Sequence, residues 1–246
     1  ESGVERYSKT YWQIDQLYRH FHYHLTKSRQ ATLLDSIRDE VERRYTNDYL
    51  LRLGDRFQQA IEHQPTWPPV EASYQRRFYE EHVAPHISKG NKLFVIISDA
   101  LRYEVGEELH QRILRENRFR SQLSHQVSVL PSYTQLGMAA LLPHETLEVD
   151  PSNGEARADG RRTAGLEARK SILVKTNAKA TAVKAQAFLE MNAKEEGRAL
   201  FRDHDLIYIY QNGIDHVGDK RETEGEVFTA AAKEIDTLID ILKKVS

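Results

Sequence analysis

The chain has 246 residues, with 35 Lys and Arg against 37 Asp and Glu, a formal net charge of −2, and 29% charged residues. That balance excludes a generally basic nucleic-acid-binding surface and leaves room only for a local basic patch. It contains no cysteine, so a disulfide framework and any thiolate metal site are excluded, and a cytoplasmic setting is expected. Any metal must be held by Asp, Glu, His or hydroxyl groups. The length suits one large domain, or one domain with a helical annex. No apolar run approaches the ~20 residues needed to cross a bilayer, so no membrane partner is expected.

Residues 1–91 read as a helical annex. Tyr7, Tyr11, Ile14, Tyr18, Phe21 and Leu25 recur at steps of three and four, one face of an amphipathic helix. His20 and His24 stand at i, i+4 on it, a spacing that grips metals, but no acidic residue completes a zincin pattern. These histidines and His22 are expected on the polar face. Leu33–Tyr45 and Tyr49–Ile61 predict two further helices, with Gly54 a weak point. Pro65, Pro68 and Pro69 interrupt the helical pattern. A helix from Glu71 to about Ile87 is expected next, with Tyr74, Phe78 and Tyr79 as its aromatic contacts.

From residue 92 the pattern alternates between strands and helices, which predicts an α/β fold with a mostly parallel central sheet flanked by helices. Leu93–Ile97 is an unbroken apolar run, the mark of a strand buried on both faces. Asp99 follows where that strand leaves the sheet, the end at which ligands collect in open α/β sheets. It is either a ligand or the cap of a helix over Leu101–Leu114. His125–Leu130 predicts a short strand, followed by Pro131-Ser-Tyr-Thr134 and a helix over Gln135–Leu142. A hydroxyl at such a helix start is either an N-cap or, with a metal or base nearby, a nucleophile. Residues 148–170 are turn-rich, with hairpin signals at Ser152-Asn-Gly154 and Asp159-Gly160. Their Arg157, Arg161, Arg162, Arg169 and Lys170 either reach over a phosphate or line a solvated surface hairpin. Residues 178–191 are Ala-rich and read as a helix, and Glu195–Arg202 as a second. Leu206–Tyr210 repeats the buried-strand pattern and runs into Gln211-Asn-Gly-Ile-Asp215-His-Val-Gly-Asp219. If that turn is helical, Asp215 and Asp219 share a face, and two converging carboxylates call for a cation or proton between them. Glu226–Val245 closes the chain as an amphipathic helix, with Val227, Ala231, Ile235, Leu238 and Leu242 inward.

The segments Ile97-Ser-Asp-Ala-Leu-Arg-Tyr-Glu104, Leu130-Pro-Ser-Tyr-Thr134 and Tyr208–Asp219 resemble, in order and spacing, the PglZ domain of bacteriophage-exclusion (BREX) systems, a branch of the alkaline phosphatase superfamily. So does the closing helix Val227–Asp236, and the helix carrying Trp12-Gln-Ile-Asp-Gln-Leu-Tyr-Arg19 resembles the segment that precedes such domains. The resemblance implies helices around a central sheet that holds two divalent metals, zinc, or magnesium or manganese. It implies Asp99 as a ligand of one metal and Thr134 as a metal-touching nucleophile. Asp215 would be a ligand of the other metal, with Asp219 where many relatives carry His. Arg102, Asn212 and His216 fall in the vicinity of substrate or metal. On this reading residues 92–246 are the N-terminal part of an alkaline phosphatase-like domain, with a hairpin insert at about 148–170. The Asp-His pair that completes such sites does not appear. It is expected within roughly twenty residues downstream, and a fragment without it is expected to bind metal poorly, to be inactive and to leave a sheet edge open to self-association. The function implied is metal-dependent hydrolysis of a phosphomonoester or phosphodiester, nucleic acid included. The alternative is a non-catalytic scaffold that docks other BREX proteins, such as a DNA methyltransferase-like component.

Overall fold

The computed structural model describes residues 3–28, 31–63, 65–68, 73–218 and 226–246. In chain order, α1 (Gly3–Arg6) passes through π-helical turns at Tyr7–Tyr11 into α2 (Trp12–Lys27). Next, α3 (Asp35–Arg43) passes through similar turns at Arg44–Leu50 into α4 (Leu51–Glu62). A short α5 (Ala84–Ser88) precedes β1 (Leu93–Ser98), α6 (Tyr103–Arg115) and α7 (Thr134–Ala140). Three short strands follow, β2 (Leu147–Val149), β3 (Ala156–Ala158) and β4 (Arg161–Arg162). The chain continues through α8 (Leu166–Thr176), β5 (Ala180–Lys184), α9 (Ala185–Glu190) and α10 (Glu196–Asp203). It closes with β6 (Leu206–Gln211), α11 (Gly213–Gly218) and α12 (Val227–Val245). Two compact units result: Glu1–Val70 with Leu101–Leu123 and His216–Asp236, and Glu71–Ala100 with Ser124–Asp215 and Thr237–Ser246.

The second unit is built on a parallel sheet in the order β1-β6-β5. The two apolar runs marked in the sequence pair in register, Leu93 with Leu206 through to Ser98 with Gln211. Every residue of Leu206–Tyr210 is buried, which makes β6 the middle strand, while β1 buries only Val95 and Ile97 and stands at the edge of the described sheet. One face of the sheet, with Tyr208 and Tyr210, packs on Met138 and Leu142, on Ile172 and Leu173 of α8, and on Val83. Burying such aliphatic side chains is worth about 1.5–3 kcal/mol each, which is what holds the short helices against the strands. The Tyr208 hydroxyl donates to the Leu141 carbonyl at 2.9 Å, so this ring is buried without an orphaned oxygen.

β5 corrects the expected helix over residues 178–191. Ala180-Thr-Ala-Val-Lys184 pairs with Leu206–Tyr210 as the third strand, and only Ala185–Glu190 is helical. Alanine favours helices locally, but pairing against β6 overrides that weak preference, and small side chains let this strand sit buried. The expected strand at His125–Leu130 reduces to a single bridge between Val127 and Tyr74. The helix expected from Glu71 begins outside the described residues. The part described is a 3₁₀ turn at Gln75–Arg77, π-helical turns at Tyr79–Val83 and then α5. The hairpin signals hold: β2, β3 and β4 form a small antiparallel sheet, with Asp159 (φ 50°) and Gly160 (φ 72°) turning the chain between the last two. Two positive φ values in a row make the tight turn that Asp-Gly favours.

In the first unit the two helices expected over Leu33–Tyr45 and Tyr49–Ile61 run on into each other, α3 passing through Arg44–Leu50 into α4, and Gly54 lies within α4. The buried face of α2 is not the aromatic one. Asp15, Arg19, His22 and Leu25 are buried, while Tyr18 and Phe21 are half-buried and Ile14 is exposed. His22, expected on the polar face, stacks at 5.3 Å on Phe228 and lies 4.4 Å from the Tyr18 ring. Charged groups are tolerated inside only when paired.

Candidate active site

Parallel pairing brings the carboxyl ends of β1 and β6 side by side. The Asp99 backbone N–H donates to the Gln211 carbonyl at 2.9 Å, one step beyond the last strand pair, so Asp99 and Asn212 leave the sheet as neighbours. The chain then turns sharply. Ala100 adopts φ 59°, and its N–H donates to the Asp99 carboxylate at 3.0 Å. A left-handed alanine costs roughly 1–2 kcal/mol, and such strain gathers at functional sites. Asp99 is not the N-cap residue of α6, which starts at Tyr103 with Arg102 in that position and no side-chain cap.

Thr134 is the first residue of α7. The cap position belongs to Tyr133, in extended conformation (φ −126°, ψ 156°), and no side chain caps the helix. The Thr134 hydroxyl is therefore not spent as an N-cap. Thr134 is exposed, while Leu136, Met138, Ala139 and Ala140 bury the other side of the helix. The Tyr133 hydroxyl donates to the Gly154 carbonyl at 2.9 Å and ties the approach to the hairpin. Free N–H groups at a helix start favour negative charge, so a hydroxyl there is eased toward its alkoxide.

Beyond β6, α11 carries the half-buried Asp215 in its first turn, then the exposed His216. Asp219 lies outside the described residues. Asp99, Thr134, Asn212 and Asp215 fall in the second unit, Arg102 and His216 in the first. Among the described residues no group of three or more His, Asp or Glu side chains is placed to hold a metal ion. The carboxylates described thus supply hard oxygen donors but do not by themselves make a metal centre.

Arg102 is exposed and reaches from the surface to the buried Asp15 of the first unit. Its Nη2 donates to the Tyr45 hydroxyl at 3.3 Å and lies 3.7 Å from the Asp15 carboxylate. Asp15 also accepts hydrogen bonds from the Tyr7 and Tyr45 hydroxyls. Burial pushes the Tyr45 phenol up to about 12, even against the hydrogen bond from Arg102. Burial first, then the hydrogen bond to Asp15, raises Tyr7 further. Two residues on, Glu104 is fully buried and receives the Arg19 guanidinium at 3.0 and 2.9 Å, and Arg19 also reaches Glu108 at 2.5 Å. The sequence reading assigned no role to Arg19 or Glu104. Charged residues at i, i+4 and i+7 in phase with Leu25 were the available signal, since a charge on a buried stripe must find a partner.

A parallel sheet flanked by helices, with a carboxylate after its first strand and a hydroxyl opening a helix, is the frame of an alkaline phosphatase-like protein. Residues 78–246 match the family described as the BREX system PglZ alkaline phosphatase-like domain, and the chain belongs to it. The chain is 42% identical over 247 aligned residues to the alkaline phosphatase-like protein BrxZ of Escherichia coli O9:H4 (strain HS), covering 97% of this chain and 28% of that protein. It is 36% identical over 241 residues to the alkaline phosphatase-like protein PglZ of Bacillus cereus (strain H3081.97), covering 96% of this chain and 28% of the relative. The chain thus spans little more than a quarter of the length of these curated relatives. No described helix is long and apolar enough to cross a membrane.

Proposed function

We propose that this chain carries the nucleophile of a phosphoesterase within a larger BREX protein, with Thr134 as that nucleophile. The observation that carries this reading is the position of Thr134: first residue of α7, exposed, outside the capping position, and without a hydrogen-bond partner among the described residues. Thr134 Oγ1 attacks phosphorus as its proton passes to solvent. The bond to the leaving oxygen breaks, and that oxygen takes a proton from water. Water then attacks the phosphothreonine, restores the hydroxyl and releases phosphate or a phosphomonoester. Asp99 and Asp215, with Asp219 beyond the described residues, are the carboxylates we assign to divalent cations, zinc or, with this all-oxygen set, magnesium or manganese, whose chemistry is to neutralise charge on phosphoryl oxygens. The substrate class is a phosphomonoester or phosphodiester, nucleic acid included. The test uses the full-length protein: metal content and hydrolysis of a nitrophenyl phosphodiester, for wild type and Thr134→Ala. Loss of hydrolysis with metal content kept is the expected result. Unchanged hydrolysis by Thr134→Ala ends the reading.

The scaffold reading draws on a different observation. Leu33, Ile37, Leu51 and Phe57 all lie more than half exposed on the helical segment 31–62. An apolar surface of that kind suits docking of other BREX components, a methyltransferase-like protein among them. Full activity in a protein with these four residues changed to Ser, with loss of association, would assign the surface to assembly and leave catalysis to Thr134.

A further inference from the structure

In the second unit the residue before Thr134 is tied to the hairpin. Tyr133 holds the capping position of α7 in extended backbone, and its ring packs against the cluster of Val129, Leu136, Ala139, Ala140 and Ala156. Its hydroxyl donates to the Gly154 carbonyl at 2.9 Å. The hairpin of β2 and β3 is thus fastened to α7 twice, by Ala156 in the cluster and by Gly154 on the ring that precedes Thr134. Packing alone would be served by phenylalanine, so what the hydroxyl adds is a bond that fixes the turn to the start of α7.

The turn that receives this bond keeps its own shape. The Gly154 N–H donates to the Asp150 carbonyl at 2.7 Å, and the Asp150 N–H to the Glu155 carbonyl at 2.9 Å. The Asp150 carboxylate accepts from the Ser152 N–H at 3.0 Å, and Asn153 Oδ1 accepts from the Glu155 N–H at 2.9 Å. Gly154 closes the turn at φ 71°, a left-handed conformation that glycine enters without strain. The charges that flank the turn are spent on each other: Arg157 pairs with Asp150 at 3.0 Å and Arg162 with Glu155 at 2.6 Å. The tip, Pro151-Ser-Asn-Gly154, is exposed and carries no charge. It gives an anion no counter-charge and gives a neutral group a firm surface.

In phosphoryl transfer the attacking and leaving oxygens lie roughly in line, with the other three oxygens in the plane between them. The leaving group departs on the side away from the nucleophile. A surface standing beside the nucleophile therefore meets what stays on phosphorus. In a diester one of the in-plane oxygens carries the second ester group. In a monoester none does, and all three share the negative charge. An uncharged tip suits the first case.

We infer that the Pro151–Gly154 tip is the wall that meets the ester group retained on phosphorus, and that Tyr133 is the positioning residue that holds it beside Thr134. The wall favours phosphodiesters. This rests on the phosphoesterase reading of Thr134. The test measures kcat and KM of the full-length protein for nitrophenyl phosphate and bis(nitrophenyl) phosphate, which share a leaving group and differ in the retained ester. Tyr133→Phe keeps the ring and loses the bond to Gly154. It lowers the ratio of diester to monoester kcat/KM about fivefold, the scale of one neutral hydrogen bond, and does so through the diester KM. Asn-Gly in place of residues 151–154 leaves a short hairpin loop between Asp150 and Glu155, which already pair. That change lowers the ratio at least as far, and Tyr133→Phe adds nothing further in its background. The inference is overturned if both variants, folded by Tm, keep the wild-type ratio, since a tie that only supports the fold costs the two esters equally. Wild type that hydrolyses neither ester overturns it as well. The two readings fail separately. Hydrolysis lost in Thr134→Ala with an unmoved ratio in the other variants keeps the nucleophile and removes the wall. Hydrolysis kept in Thr134→Ala with the ratio shifted by Tyr133→Phe removes the nucleophile and keeps the wall.

Discussion

Removing Glu104 tests the interior of the first unit. The Arg19 side chain is 4% exposed and that of Glu104 is 0% exposed, with contacts of 3.0 and 2.9 Å from Nε and 2.9 Å from Nη2. Glu104→Ala leaves a buried guanidinium facing a void. Breaking such a pair from one side costs about 3–5 kcal/mol. Glu108 still reaches Arg19 at 2.5 Å and is partly solvated, which places the loss at the lower end, about 3 kcal/mol. For a chain of 246 residues that lowers Tm by about 6–12 °C. Replacing both partners by apolar residues, Arg19→Met with Glu104→Leu, removes the charge together with its need for a partner and returns stability to within about 1 kcal/mol of wild type. Both tryptophans, Trp12 and Trp67, lie in the first unit, so urea unfolding followed by their fluorescence reports on that unit. A cost under about 1 kcal/mol for Glu104→Ala, or a double variant as unstable as the sum of its singles, would refute the buried-pair account.

His22 is held below its ordinary value of 6.5, chiefly by burial. The unfolded chain therefore takes up the proton first, so stability is full above pH 6.5 and falls as pH drops through that value, and His22→Phe flattens this part of the pH profile of urea midpoints. Asp159 accepts from the Glu145 and Thr146 backbone N–H groups at 2.9 and 2.7 Å while holding φ 50°. Asp159→Ala loses both bonds and keeps the strained turn, at a cost of about 1–2 kcal/mol, read from hydrogen exchange of the Glu145 and Thr146 amides.

Much of the second unit is visible in its residues. Leu93–Ile97 and Leu206–Tyr210 are apolar runs that only a covered sheet satisfies, and Asp159-Gly160 dictates its own turn. The third strand is not visible, because Ala180-Thr-Ala-Val is compatible with either geometry until β6 pairs with it. Asp99 and Thr134 stand out by position, at a strand end and a helix start. Arg169 is hidden among other basic residues, and only packing separates its guanidinium, 4.8 Å from the centre of the Tyr210 ring, from Arg157 and Arg162, which pair with Asp150 and Glu155. In the first unit the aromatic periodicity of α2 points to a face that is only half-buried. What decides the burial is a set of charge pairs across α2 and α6, and pairing between distant segments leaves no mark in local spacing.

The central claim is that Thr134 attacks phosphorus. Acid-quenched turnover of the full-length protein with a nitrophenyl phosphate ester, followed by peptide mass spectrometry, tests it directly. The account predicts a phosphoryl group on the peptide carrying Thr134, absent with hydrolysis in Thr134→Ala. Hydrolysis that persists in Thr134→Ala, with no phosphopeptide in wild type, contradicts it.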